Sequence, residues 1–103
     1  MAKLLIDYHP ASRLEAIDAF DWYRDHSLSA AEEFQRQLEK AQTAIQDSPN
    51  AWAKYLHGTR RYRLKRFPYI VIYRVSEHRI EIVAVAHGRR EPGYWVDRLG
   101  LPE

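Results

Sequence analysis

The chain contains no cysteine. That excludes disulfide scaffolds, iron–sulfur centres, thiolate zinc sites and cysteine nucleophiles. Glycine is scarce, with four in 103 residues, and none stands in a Walker or dinucleotide-binding pattern. Phosphate-cradling glycine loops are therefore not expected. Apolar runs are only a few residues long, far short of the ~18 that span a bilayer. The stretch from Met1 to Asp7 has one lysine, and Asp7 cuts its apolar run short, so it does not read as a signal peptide. His9, His26, His57, His78 and His87 never pair at ligand spacing, and the sequence has no His-Glu-x-x-His. Neither a metal nor another cofactor is expected. Ser12, Ser27, Ser29, Ser48 and Ser76 fall where caps and turns belong, none within Gly-x-Ser-x-Gly.

What is present is ordinary globular composition, 46% hydrophobic and 29% charged. A chain of this length makes one domain, residues 1–103. It reads as soluble and cytoplasmic, with no membrane partner. The net charge is +2, but it is unevenly spread. Residues 1–51 hold 5 basic and 9 acidic residues, whereas residues 52–103 hold 11 basic and 5 acidic. From Lys54 to Arg74 there are seven basic residues and no acid. Such asymmetry points to an anionic partner, nucleic acid or acidic polypeptide, or else to pairing with the acidic helices.

Periodicity sets the order of elements. Lys3 to Tyr8 alternates as a strand, with Leu4, Ile6 and Tyr8 on one side. Pro10 suits the first turn of a helix, where its missing N–H has no partner to lose. From Pro10 to about His26 the positions Leu14, Ile17, Phe20 and Tyr23, with Ala16 and Ala19, form an apolar stripe, and Glu15 falls outside it. Ser29 followed by Glu32 has the form of a capping box. A second helix then runs to about Asp47 on the seam Phe34, Leu38, Ala41 and Ile45, and Ser48-Pro49-Asn50 stops it. A link this short makes the two helices an antiparallel hairpin.

After a connecting segment with Trp52, Tyr55 and Leu56, the period drops to two. Tyr62 and Leu64 face one way, and Arg61, Arg63 and Lys65 the other. Tyr69 to Val75 and Ile80 to Ala86 are apolar on both sides, as inner strands are, and Ser76–Arg79 is the turn between them. A loop from His87 to Gly93 leads to a helical turn at Tyr94–Leu99. The fold class is α+β: a strand, a helix hairpin, then a three-stranded antiparallel meander, with the helices on one sheet face. The other face is expected to be open, and basic where it carries Arg61, Arg63 and Lys65.

The remaining chemistry is arginine-rich. Arg74 ends an apolar strand, and His87 ends the next one. Arg89 and Arg90 follow in a glycine-flanked loop and suit phosphate binding. Tyr94 and Trp95 either pin the tail to the sheet or serve stacking and, for the tyrosine, proton transfer. Metal-free RNA cleavage needs a base, cations for the phosphorane and a proton donor, and these residue types are compatible with it. Geometry opposes the simplest version. Arg74 lies near the hairpin turn and Arg89 at the far end of the next strand, roughly 23–30 Å away at ~3.3 Å per residue. Only a return of the tail through Pro92-Gly93 would bring Arg89 or Tyr94 to Arg74.

The stretch Tyr69-Ile70-Val71-Ile72-Tyr73-Arg74, followed by the run from Ile82 through Ala86-His87-Gly88-Arg89-Arg90-Glu91-Pro92-Gly93 to Trp95, resembles the RelE/ParE superfamily of bacterial toxins. The Phe67-Pro68-Tyr69 lead-in and the order of elements extend the resemblance over nearly the whole chain. It implies a growth inhibitor of a type II toxin–antitoxin module, of the kind linked to plasmid stabilization, neutralised by a cognate antitoxin. The antitoxin would seat beside Trp52 and Tyr55, and operator DNA would be met only through it. A RelE-like member would be a ribosome-dependent endoribonuclease using Arg74, Arg89 or Arg90, with Tyr94 or His87 completing the set and Arg63 and Lys65 as further cations. A ParE-like member would poison DNA gyrase and would not be an enzyme. The Ala-His-Gly-Arg-Arg run is closer to the ParE side, so gyrase is the expected target, ahead of ribosome and mRNA. A third reading is a non-toxic module that binds antitoxin and operator.

Overall fold

A computed structural model describes residues 3–100. Met1 and Ala2, on which the signal-peptide reading partly rests, lie outside the described residues. Five strands form one sheet in the order β1-β5-β4-β3-β2: β1 (Leu5–Tyr8), β2 (Ala53–Lys54), β3 (Arg60–Arg63), β4 (Tyr69–Val75) and β5 (Arg79–His87). β1 runs parallel to β5, and the other pairings are antiparallel. A parallel neighbour needs a crossover, and here everything between β1 and β5 supplies it. The expected meander is present. Strand β2 was not expected from the sequence, because two residues carry no period.

Helix α1 (Pro10–His26) begins with His9, whose Nδ1 accepts from the Ala11 N–H at 3.0 Å. The buried Ser12 hydroxyl lies 2.7 Å from the His9 carbonyl and 2.9 Å from that of Ile82, so one proton ties the first turn to β5. Ser27 alone separates α1 from α2 (Leu28–Asp47). Its N–H donates to the Tyr23 carbonyl and closes α1, while its Oγ accepts from Ala30 N–H at 3.3 Å and opens α2. This corrects the expected Ser29–Glu32 box: the helix starts earlier, so Ser29 is already inside it.

α2 buries the seam read from its spacing, Phe34, Leu38, Ala41 and Ile45. α1 is rotated from expectation. Leu14 is 61% exposed and Ile17 48%, whereas Ser12, Ala16, Ala19 and Tyr23 face inward. Small residues let α1 approach closely, and the rotation turns Glu15 toward β5.

The two helices cover one sheet face, over a core that includes Phe34, Leu38, Ile45, Val71, Tyr73, Ile80 and Val85. The opposite face, expected to be open, is instead half covered. A tail ending in a 3-10 turn, Val96–Leu99, presses Trp95 and Leu99 onto Ile72, Val83, Ala84 and Ala86. A bulge aids this packing: Ile72 pairs with Ala84 and Tyr73 with Ile82, so Val83 is the extra residue. Among the described residues no helix is long and apolar enough to cross a membrane.

Candidate functional site

Register decides which arginines are available. Arg74 lies directly opposite Glu81. Its Nε and Nη2 are each 2.9 Å from Glu81 Oε1, and its Nη1 donates to the Leu99 carbonyl at 2.8 Å. All three groups therefore bind the tail to the strand end. The tail does double back, but it delivers the Leu99 carbonyl to Arg74 rather than Arg89 or Tyr94.

His87 stands five residues along β4 from that point, opposite Tyr69, which is about 17 Å at ~3.4 Å per residue. Its ring meets Tyr69 edge-on at 5.1 Å, on the helix side of the sheet, whereas Arg74 faces the tail side. Nδ1 of His87 accepts from the Arg89 N–H at 3.1 Å, which leaves the proton of a neutral ring on Nε2. Arg90 stacks on the Tyr94 ring at 3.8 Å. His87, Arg90 and Tyr94 thus share one corner, and with Trp22 and Glu15 they line a hollow of about 240 Å³. Arg74 is not part of it.

Tyr94 is poorly suited to accept a proton. Its hydroxyl donates to Glu15 Oε2 at 2.6 Å. Burial first, and this hydrogen bond second, hold its pKa above the ordinary phenol value. Glu15 is the residue that sequence reasoning missed. It also accepts from Val85 N–H at 3.0 Å and from both terminal nitrogens of Arg98, at 2.8 and 3.0 Å. Arg98 donates in addition to the Val83 carbonyl at 3.1 Å, and the hydrogen bond to Glu15 raises its pKa further. β1 ends at Tyr8, opposite Ile82, so this side-chain cluster satisfies the β5 edge beyond it. No local signal marks it, because the partners are 70 to 83 residues apart.

Trp52 and Tyr55 flank β2 on opposite sides. Trp52 joins the helix-side core, donating Nε1–H to the Ala44 carbonyl and meeting Tyr62 edge-on at 4.7 Å. Tyr55 joins the tail-side core, lying 6.1 Å from Trp95 with the Arg61 guanidinium 4.9 Å above its ring. Arg61 and Arg63 are exposed and lie opposite Ile72 and Ile70, so they face away from the helices as expected. With Lys65 they line a hollow of about 510 Å³ at the sheet edge. Between the helices a groove of about 470 Å³ is lined by Tyr8, Arg13, Ile17, Phe20, Leu38 and Gln42.

Residues 6–92 match the family model described as ParE toxin of type II toxin-antitoxin system, parDE. Two curated relatives, Toxin ParE2 of Mycobacterium tuberculosis strains CDC 1551 / Oshkosh and ATCC 25618 / H37Rv, are each 32% identical over 79 residues, 76% of this chain and 75% of theirs. A solved structure, described as the chromosomal ParDE TA system from P. aeruginosa, superposes with a TM-score of 0.72. It is 17% identical and covers 82% of this chain and 96% of that one, a likeness of fold. The chain belongs to the ParE toxin family of type II toxin–antitoxin systems.

Proposed function

We propose that this toxin arrests growth in the cytoplasm by poisoning DNA gyrase, and that a cognate antitoxin neutralises it. The observation that carries the choice of target is the separation of Arg74 from His87, Arg89 and Arg90. An RNA-cleaving centre would need cations and a proton-transfer group around one phosphate. Here Arg74 is fixed by Glu81 and Leu99 on one face and His87 stands on the other. The Tyr94 phenol, held above its ordinary pKa, is a poor base. A gyrase poison needs none of these groups to converge.

An amphipathic antitoxin segment suits the interhelical groove, where the exposed Ile17 supplies apolar surface and Arg13 a cation for an acidic residue. Trp52 and Tyr55, committed to packing on opposite sides of β2, lie outside that groove. The solved neighbour is of a ParDE system, which supports a partner of that kind.

The test is induction of the toxin alone in cells, followed by parallel assays of DNA damage and of mRNA ends. DNA-damage signalling and filamentation with intact mRNA are expected, with rescue by co-expression of the antitoxin. Codon-phased mRNA cleavage without a DNA response would overturn the gyrase reading. Undisturbed growth of cells that accumulate folded protein would overturn the toxin reading itself.

A further inference from the structure

Some cations of this protein are neutralised by carboxylates and others are not. Lys3, Arg24, Arg36, Arg74, Arg79 and Arg98 each pair with a carboxylate. Among the described residues, no carboxylate lies within salt-bridge distance of Arg61, Arg63 or Lys65. These three line one hollow at the sheet edge, together with Trp52, Tyr62 and Ile70. The surface around them is also positive in sequence, since no acid occurs from Lys54 to Arg74. At the same end of the sheet, Gly88 N–H donates to the Pro68 carbonyl at 2.7 Å, which fixes the Arg89–Arg90 loop beside the Lys65–Arg66 loop.

We propose that the row Arg61, Arg63 and Lys65 is a track for the phosphate backbone of duplex DNA, contacted by the toxin itself. The spacing is the first argument. Arg61 and Arg63, alternate residues of β3, project on one side about 6.8 Å apart, and Lys65 continues the row in the loop just after the strand ends. One strand of B-DNA carries a charge every ~3.4 Å of helix axis, a continuous line of phosphates on which successive cations can each find a partner. A sparse acidic peptide has no such regular lattice of charge.

The second argument concerns what the row lacks. Single-stranded nucleic acid is held by free aromatic faces on which bases stack. Here Trp52 and Tyr62 meet each other edge-on, and Arg61 lies over the ring of Tyr55. The Trp52 and Tyr62 rings border the hollow but are packed against the helix-side core, so charge rather than open ring surface dominates it, which suits a duplex, whose bases stay stacked. The third argument is access. β2 pairs only with Arg60 and Arg61, so beyond Arg61 the outer edge of β3 has no strand beside it and a backbone can approach.

This inference goes beyond the gyrase reading and stands apart from it, because it is tested with the toxin and DNA alone. The full chain is titrated into a labelled duplex of arbitrary sequence, and binding is followed by fluorescence anisotropy from about 50 to 200 mM salt. Sequence-independent binding with a dissociation constant of about 1–100 µM is expected at the upper salt concentration. The variant R61Q/R63Q/K65Q should lower the slope of log affinity against log salt by about 2.7, so that wild type loses roughly 40-fold more affinity over that range. A control with the same charge change on the helices, R24Q/R36Q/K40Q, should keep the wild-type slope. R63Q alone, a milder change to the fold, should lower it by about 0.9. R61K/R63K/K65R should retain it, because phosphates read these groups as charges. Equal slopes for the row variant and the helix control would overturn the proposal. So would absence of duplex binding at about 50 mM salt, or tighter binding to single-stranded RNA or to polyglutamate than to the duplex.

Discussion

Arg74 and Arg63 stand on neighbouring strands and on the same face of one sheet, yet one is fixed and the other is free. Residue type does not explain the difference. The cross-strand neighbour does: Arg74 lies opposite Glu81, Arg63 opposite Ile70 and Arg61 opposite Ile72. Directly opposed side chains are the unit of interaction in a sheet, so an arginine across from a carboxylate is held and one across from an isoleucine is not. The same contrast extends around the molecule. Toward β1 and the tail, Arg79 pairs with Asp7 and Arg98 with Glu15, whereas β3 and its flanking loop carry unneutralised charge. Cations that hold the tail and the edge strand are therefore separate from cations available to a partner.

The contrast should be broken most severely at its most buried pair. Glu15 and Arg98 have side chains only 17% and 18% exposed. Glu15→Ala strands Arg98, the Tyr94 hydroxyl and the Val85 N–H together. Loss of one partner of such a pair destabilises by about 3–5 kcal/mol, and that loss should appear in the urea midpoint with little change in slope. Glu15→Gln, which keeps an acceptor but no charge, should recover part of it. The alkaline limb sharpens the assignment. The Tyr94 pKa is raised in the fold, so the folded state keeps a proton that the unfolded chain releases. Its contribution is whole below about pH 10 and declines as pH rises beyond that. Tyr94→Phe should be less stable at neutral pH and lose less on going to about pH 11.

The next effect should be smaller. Arg74→Gln leaves Glu81 and the Leu99 carbonyl without their donor, but the arginine side chain is 39% exposed and water reaches the site. A loss of about 1–2 kcal/mol is expected, after allowing for that screening. The tail should loosen first, so amide exchange at Trp95–Leu99 should accelerate more than exchange in β4. If exchange is unchanged there, Arg74 is not what holds the tail.

How much of this was legible beforehand depends on range. The α2 seam from Phe34 to Ile45 and the inner strands β4 and β5 follow from periods contained within each element. The outward placement of Arg61 and Arg63 follows from alternation alone, whereas the strand ends at Arg63 and Lys65 stands in the loop after it. The position of α1 did not follow. Leu14 and Ile17 look like core at helical spacing, but the small face of Ser12, Ala16 and Ala19 packs closer to β5. Coverage of the second face was hidden for a related reason. Trp95 and Leu99 are buried by a sheet whose outer surface is complete only after the bulge at Val83. Arg74 could be placed at a strand end, but its partner depended on a register that no single strand encodes.

The smallest expected effect falls on the row itself. Arg61, Arg63 and Lys65 lack carboxylate partners among the described residues, so removing their charges leaves no acid stranded. Substitution does remove the Arg61 guanidinium from above the Tyr55 ring, where it sits at 4.9 Å, an interaction worth about 0.5–1 kcal/mol at an exposed site. Relief of repulsion among neighbouring cations opposes that cost. R61Q/R63Q/K65Q should therefore stay within about 0.5 kcal/mol of wild type in a urea titration. The sign of its salt response is the finer test. Screening weakens like-charge repulsion, so wild-type stability should rise between low and moderate salt, and the variant's should rise less. A large destabilisation, or an unchanged salt response, would mean that the row supports the sheet rather than standing free of it. The predicted near-neutrality is what would let one variant separate surface recognition from folding.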